Sequence, residues 1–410
     1  MKKGDLEARI LVLATLGLVA FGLVMVYSAT SAAAAIGGHD PMYYLKRQGA
    51  YALVGLVLLV VVSRIDFGVL RKFAPMLVLT SLVLCLAVLV LGTSVNGARR
   101  WLNLGPAAFQ PSELAKLSLA VWGAVYLARR GAPRTMGELV RPIGILVGLF
   151  CILLLAEPDL GTAIALLLML AAMLAVAGTP LRTLAFSGAV VTVVTLAAVW
   201  FEPYRRARIF SFLNPWHDAQ GAGYQTVQGM IGLASGGILG RGLGGGVEKI
   251  NYLPEAHTDM ILAVIGEELG LIGVTALIAA FALFAWAGLR VALRCRDRFG
   301  KTLAVGIVTL VCAQAAVNLA AVLGLAPLTG IPLPFVSYGG SNLVITLIGV
   351  GILLNIAVGG REQEARVRDR GRRDGRARAS GARSRRGAAQ PRGARDLRRV
   401  AGSRRSAAGA

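Results

Sequence analysis

Histidine, cysteine and acidic residues are all scarce in this chain. Its 410 residues include 3 His, 4 Cys and 21 Asp plus Glu, against 43 Lys plus Arg. Cys85, Cys151, Cys295 and Cys312 have neither disulfide-framework nor metal-site spacing, so both classes are excluded and the thiols read as packing residues. Glycine is plentiful from Gly236 to Gly246, but no Walker spacing accompanies it. Turns and close helix approach explain that stretch better than a nucleotide does. Aromatics make up 7% of the chain and do not interleave with the Arg-rich runs, which argues against nucleic acid as a partner.

The bulk of the chain is apolar. Hydrophobic residues account for 56%, and the mean hydropathy is +0.67, above the roughly 45–50% apolar usage of soluble domains. Apolar runs recur at 10–26, 50–62, 76–91, 114–128, 143–156, 160–177, 184–200, 260–289, 303–323 and 343–358. Most approach the ~20 residues that cross about 30 Å of hydrocarbon, although 50–62 and 143–156 are short. The expected fold class is all-α, a polytopic integral membrane protein of about ten transmembrane helices. One domain covers 1–360, with extracytoplasmic loops at 93–111 and, between helices 7 and 8, at 202–258. Residues 361–410 form a basic tail that cannot bury a core and is expected to be disordered.

Of the 43 Lys and Arg, 33 fall on the N-terminus, alternate loops and tail, nine on the opposite set, and Lys116 inside a run. The richer side is expected to be cytoplasmic, so both termini lie inside. Lys2, Lys3 and the small residues 31–35 also permit a cleaved signal peptide, but the downstream charge count agrees with an uncleaved first span. The tail, with 17 Arg against 5 acids, is expected to touch anionic headgroups at roughly 1 kcal/mol per basic residue.

Two outer loops are neither short nor poor in arginine. In the first, Arg99 and Arg100 oppose the positive-inside bias, and planar guanidinium groups match phosphate oxygens; outer-leaflet headgroups are the plainer ligand. The segment reads as a partly re-entrant hairpin, with Pro111 and Ser112 starting the next helix. Glu113 and Lys116 are spaced to pair on one helical face, as a functional charge pair or a structural one. The second loop carries Arg205, Arg206 and Arg208, then Arg241 and Lys249, and closes on Glu255, His257 and Asp259. Asp259 should sit near a helix N-terminus at the outer boundary, where the dipole favours its charge and burial opposes it. Glu267 and Glu268 lie about 12 to 13 Å deeper unless the helix breaks, so they cannot pair closely with it. His257 reads as support or an interfacial hydrogen bond rather than a base.

Three blocks in this order resemble the SEDS (shape, elongation, division and sporulation) family. They are 96–116; Pro254 to Gly273, with Glu-Ala-His-Thr-Asp and Gly-Glu-Glu-Leu-Gly; and Pro327 to Ser341, with Leu-Pro-Phe-Val-Ser-Tyr-Gly-Gly-Ser. Asn214-Pro215-Trp216 and Lys249-Ile250-Asn251-Tyr252 are similar to the cell-division branch rather than the elongation branch. Departures are Met260 where Phe is usual, Gly229-Met230 in place of a Ser-containing pair, and Asn342 where a second Ser is common. The resemblance implies an inverting peptidoglycan glycosyltransferase that polymerises lipid II into glycan strands at the septum of the inner membrane. It would work beside a class B penicillin-binding protein and other divisome proteins. Asp259 aligns with the family's catalytic aspartate, and substrate contacts are assigned to Arg99, Arg100, Gln110, Glu113, Lys116, Arg208, Arg241, Lys249, Glu255 and His257.

The chemistry is compatible with one carboxylate. Glycoside hydrolases need two because a poor alkoxide leaving group must be protonated. Pyrophosphate leaves as a stable anion and needs cations instead, from Arg, Lys and a divalent ion such as Mg or Mn; no organic cofactor is called for. Two other classes stay open. A lipid II flippase would use the same cations, with the short runs around Glu157-Pro158-Asp159 as its polar path, though no inverted repeat is visible. A noncatalytic division scaffold would need none of this chemistry.

Overall fold

The computed structural model of the protein describes residues 3–38, 40–95, 98–105, 107–250 and 252–359. The tail 361–410, Asn96, Gly97, Pro106 and Asn251 lie outside the described residues, and so do the expectations attached to them.

Each of the ten apolar runs coincides with a helix. In chain order these are α1 (Lys3–Ile36), α2 (Tyr43–Arg64), α3 (Leu70–Leu91), α4 (Pro111–Arg130), α5 (Met136–Leu139) leading into α6 (Ile145–Ala156), α7 (Leu160–Ala177), α8 (Leu181–Trp200), α11 (Ile261–Arg294), α12 (Arg298–Val322) and α13 (Gly340–Gly359). The large loop adds α9 (Pro203–Leu213) and α10 (Tyr224–Gly236). Among the described residues nine helices are long and apolar enough to cross a membrane. The other, α4, carries Glu113, Lys116, Arg129 and Arg130, so it is the least apolar, yet most of its residues are buried. Glu113 and Lys116 are tolerated because protein rather than lipid surrounds them, while Arg129 and Arg130 are exposed at the end of the helix. Helix α8, by contrast, buries only Thr183 and Val199 and leaves Val193, Val194 and Leu196 exposed, as a lipid-facing helix should.

The all-α fold carries one small addition. Residues 93–109 form a small antiparallel sheet, with β1 (Thr93–Val95) on β2 (Ala98–Leu104) and β2 on β3 (Ala107–Phe109). Gly105, at φ 72°, makes the tight turn between β2 and β3 that a β-carbon would strain. Pro111 then occupies the first turn of α4, where its missing N–H costs nothing.

Helix α11 does break. Gly270 has φ 65° and ψ −162°, and the Gly-rich loop takes up the backbone groups this leaves near the break. Leu271 N donates to Gly237 O at 2.9 Å, Arg241 N to Glu267 O at 3.0 Å and Gly242 N to Glu268 O at 2.9 Å. Such an approach requires glycine: a β-carbon on Gly236 would lie 1.9 Å from Gly266 O, and one on Gly240 2.2 Å from Glu268 O. The glycine stretch is therefore a seat for the loop against α11.

Candidate active site

At one end of the bundle these elements enclose a cavity of about 1300 Å³. Its floor and walls include Arg100, Gln110, Glu113, Arg208, Glu255, His257 and Asp259, which the sequence marks out, drawn from β2, α4, α9 and the segment before α11. The volume exceeds the roughly 300–1,000 Å³ of a typical small-molecule site and suits a larger polar ligand.

Asp259 stands two residues before α11. Its backbone is pinned, because Asn318 Nδ2 on α12 donates to Asp259 O at 2.7 Å and to Ile331 O at 2.9 Å. Its carboxylate is held loosely: Gln225 Nε2 and Thr258 Oγ1 approach Oδ1 at only 3.5 and 3.4 Å. Part of its surface faces the cavity, but loss of water raises its pKa to about 6, with the Glu255 charge adding and Arg208 opposing. The group is thus ionised at neutral pH and a better proton acceptor than an exposed aspartate.

Arg100 and the Asp259 carboxylate both approach Gly330. A β-carbon on Gly330, whose φ is 73°, would be 3.9 Å from both Arg100 Nη1 and Asp259 Oδ2. Arg100 Nε donates to Glu157 O at 2.9 Å and its Nη2 donates to Pro158 O. The neighbouring Glu157 carboxyl is fully buried, with the Cys85 thiol beside it. Burial first and the Asp159 charge second push its pKa up to about 8, so it does not neutralise the guanidinium at pH 7. Arg208 Nη1 donates to Leu328 O at 2.9 Å, which fixes a second cation on the wall.

His257 packs in an aromatic nest, its ring centroid 4.6 Å from that of Tyr44 and 5.5 Å from that of Tyr338. Burial lowers its pKa despite Glu255 nearby, so it is neutral at pH 7. Gln110 donates through Nε2 to Asp159 Oδ2 at 3.3 Å, and Asp159 caps α7 by accepting from Thr162 N at 3.1 Å.

Four residues assigned to substrate contact do not line the cavity. Arg99 is exposed and paired in register with Ser94, because successive residues of a strand face opposite sides. Lys116 is 1% exposed and bonded to Glu113 Oε1 at 2.8 Å; Glu113 Oε2 also accepts from Asn342 Nδ2 at 3.0 Å. Arg241 Nη1 bonds Glu267 Oε1 at 3.0 Å, and Lys249 bonds Glu268 and Ser28 of α1. The glycine seat takes both basic residues to the level of Glu267 and Glu268, away from Asp259.

Sequence reasoning missed Arg47, Tyr43, Tyr44 and Gln225 and considered Asp159 only for the flippase path, and all five are on the cavity wall. Arg47 had a signal in its position, since Lys46 and Arg47 are the basic pair that directly precedes the second apolar run. Among the described residues no three His, Cys, Asp or Glu side chains converge as a metal cage. A magnesium ion carried on substrate phosphates would need only one or two carboxylates, and Asp159, Glu202 and Glu255 stand on the wall beside Asp259.

The profile of a family described as cell cycle protein, FtsW/RodA/SpoVE, matches residues 8–362. The chain belongs to this family. Among its relatives is the probable peptidoglycan glycosyltransferase FtsW of Geobacter sulfurreducens, 44% identical over 85% of this chain and 94% of that protein. Stage V sporulation protein E of Bacillus subtilis is 37% identical over 85% of this chain and 96% of its own length. Solved FtsW/RodA/SpoVE-like structures include a chain from a peptidoglycan synthase complex that coordinates polymerization and crosslinking, with TM-score 0.71, 31% identity and coverage of 85% of this chain and 97% of that one. The rod shape determining protein RodA of Thermus thermophilus aligns with TM-score 0.63 and 30% identity over 85% of this chain and 95% of RodA.

Proposed function

We propose that this chain is a peptidoglycan glycosyltransferase that polymerises lipid II into glycan strands during cell division, with Asp259 as its general base. The observation that carries the assignment is an ionised, loosely held carboxylate on the wall of the same cavity as the Arg100 and Arg208 guanidinium groups. Full-length similarity to FtsW proteins supports the reaction class.

In the reaction, Asp259 takes the proton of the acceptor sugar 4-hydroxyl as its oxygen attacks the anomeric carbon of the donor. The new glycosidic bond forms with inversion while the bond from that carbon to pyrophosphate breaks. Arg100 and Arg208 hold the departing charge, which fixed donors in a partly enclosed site stabilise better than water does. Next to the cavity, and sharing Pro158 and Arg208 with it, runs an apolar groove of about 360 Å³ lined by Leu160, Ile164, Leu168 and Val317. A polyprenyl chain lying there would bring its pyrophosphate to Arg208. The partner would be a crosslinking transpeptidase, with the cavity on the outer face and both termini in the cytoplasm.

The test is polymer formation from labelled lipid II by the purified chain with a matching class B penicillin-binding protein. Asp259→Asn is expected to lose roughly 10²- to 10⁴-fold in rate while melting normally. Full polymerisation by that variant would remove Asp259 as the base, and headgroup translocation without polymer would favour a flippase.

A further inference from the structure

A second charged cavity, of about 330 Å³, lies at the opposite ends of α3, α4, α11 and α12 from Asp259. Four arginines line it, Arg71, Arg129, Arg296 and Arg298, with Asp297 and the apolar Val125 between them. We propose that this pocket binds the phosphate headgroup of an anionic phospholipid in the leaflet opposite the Asp259 cavity.

The one acid of the pocket is already used. Asp297 Oδ2 accepts from Arg71 Nη2 and from Gly300 N at 3.0 Å, the latter capping α12. Among the described residues Arg129, Arg296 and Arg298 belong to no ion pair, and all three are exposed. The pocket therefore keeps a surplus of positive charge. Arg71 is held in place, with its guanidinium carbon 4.7 Å from the Phe299 ring centroid, and its buried Nε has no hydrogen-bond partner among the described residues. With Asp297 holding only one of the four guanidinium groups, an anionic ligand oxygen is the chemistry the pocket is built to accept. Guanidinium groups match phosphate oxygens in pairs.

The position favours a lipid over a soluble anion or an acidic peptide. Basic pockets between transmembrane helices at the membrane surface are headgroup sites. The helix ends that build this one carry exposed Phe73 and Met76 on α3 and Leu289 and Leu293 on α11, where acyl chains can run beside the protein. The 25 residues of α12 separate Arg298 from Val322 by about 37 Å at 1.5 Å per residue. That length places the two cavities on opposite membrane surfaces.

The experiment is native mass spectrometry and thermal shift on the full chain, titrated in turn with phosphatidylglycerol, phosphatidylcholine, inorganic phosphate and a poly-glutamate peptide. It is repeated on the variant Arg129→Gln/Arg296→Gln/Arg298→Gln, which spares the Arg71–Asp297 contact. The expected result is at least tenfold tighter retention of phosphatidylglycerol than of phosphatidylcholine, lost in the variant; tail binding is common to both proteins and cancels. Equal preference in wild type and variant overturns the proposal. So does Arg-dependent binding of poly-glutamate without lipid preference, which would make the site an acidic-peptide dock. Displacement of the lipid by millimolar phosphate would reassign it to a soluble anion. Should the triple variant fail to melt like the wild type, Arg296→Gln alone is expected to weaken retention severalfold, and an unchanged value overturns the lipid site. All readouts are of binding, so failure here is distinct from failure of the polymerase assignment.

Discussion

Asp259 owes its base strength to a balance among neighbours: burial and Glu255 raise its pKa to about 6, while Arg208 and Thr258 oppose them. A general base works only when ionised, so polymerisation is expected to be full above pH 7 and to fall about tenfold per unit well below the Asp259 pKa. Glu255→Gln removes a negative neighbour, favours the ionised form and is expected to move this acid limb to lower pH, read from initial rates. Asn318 touches no reacting atom on this scheme but pins the base through two carbonyls. Asn318→Leu is expected to lower kcat by about 10²-fold with little change in KM, since small displacements of a reacting group cost that much. The place of Asp259 before a helix start was legible in the sequence, because an apolar run begins at Met260 directly after it; its assignment as the base came with the family resemblance. Asn318 was not, since a lone amide in an apolar helix says nothing of the carbonyls it will meet.

Among the elements, the loop seated on α11 shows how the tertiary fold reassigns charges. Lys249 and Glu268 are both almost fully buried and bonded to each other and to Ser28. Lys249→Met leaves Glu268 buried and without its cation, and is expected to cost about 3–5 kcal/mol, measurable as a lower melting temperature in detergent. The double variant Lys249→Met/Glu268→Leu is expected to recover much of that loss, because no unpaired charge remains. Gly240→Ala has no such remedy: its φ is 79° and the new β-carbon would meet Glu268 O at 2.2 Å. The family departures at 229 and 260 are explained together. A β-carbon on Gly229 would lie 2.4 Å from Met260 Cε, so the glycine makes room for the methionine. The loop's depth was hidden in the sequence because it depends on the Gly270 break, and a single glycine in an apolar helix does not announce one.

For the whole molecule, the charge distribution makes a prediction of its own. In a background without the four natural cysteines, Tyr252→Cys in the exposed outer loop is expected to react with an impermeant maleimide from outside, and Arg298→Cys only after lysis. The reverse pattern would invert the topology. By itself, the sequence determined that the chain is a bundle of membrane-crossing helices, where most of them start, and that Asp259 stands just before one of them. These properties depend on apolar run length, on helix-start chemistry and on the cost of leaving a charge near hydrocarbon, all local to the chain. Only the tertiary structure decided which of ten assigned contacts reach one cavity. Arg99 and Arg100 are adjacent in sequence, but the strand pleat separates them. Arg241, Lys249 and Asp259 share one loop, but the seat on α11 draws the first two down to Glu267 and Glu268 and leaves the third at the mouth of the site. Side-chain direction and loop depth come from packing between distant segments, and that information is carried by no short stretch of sequence.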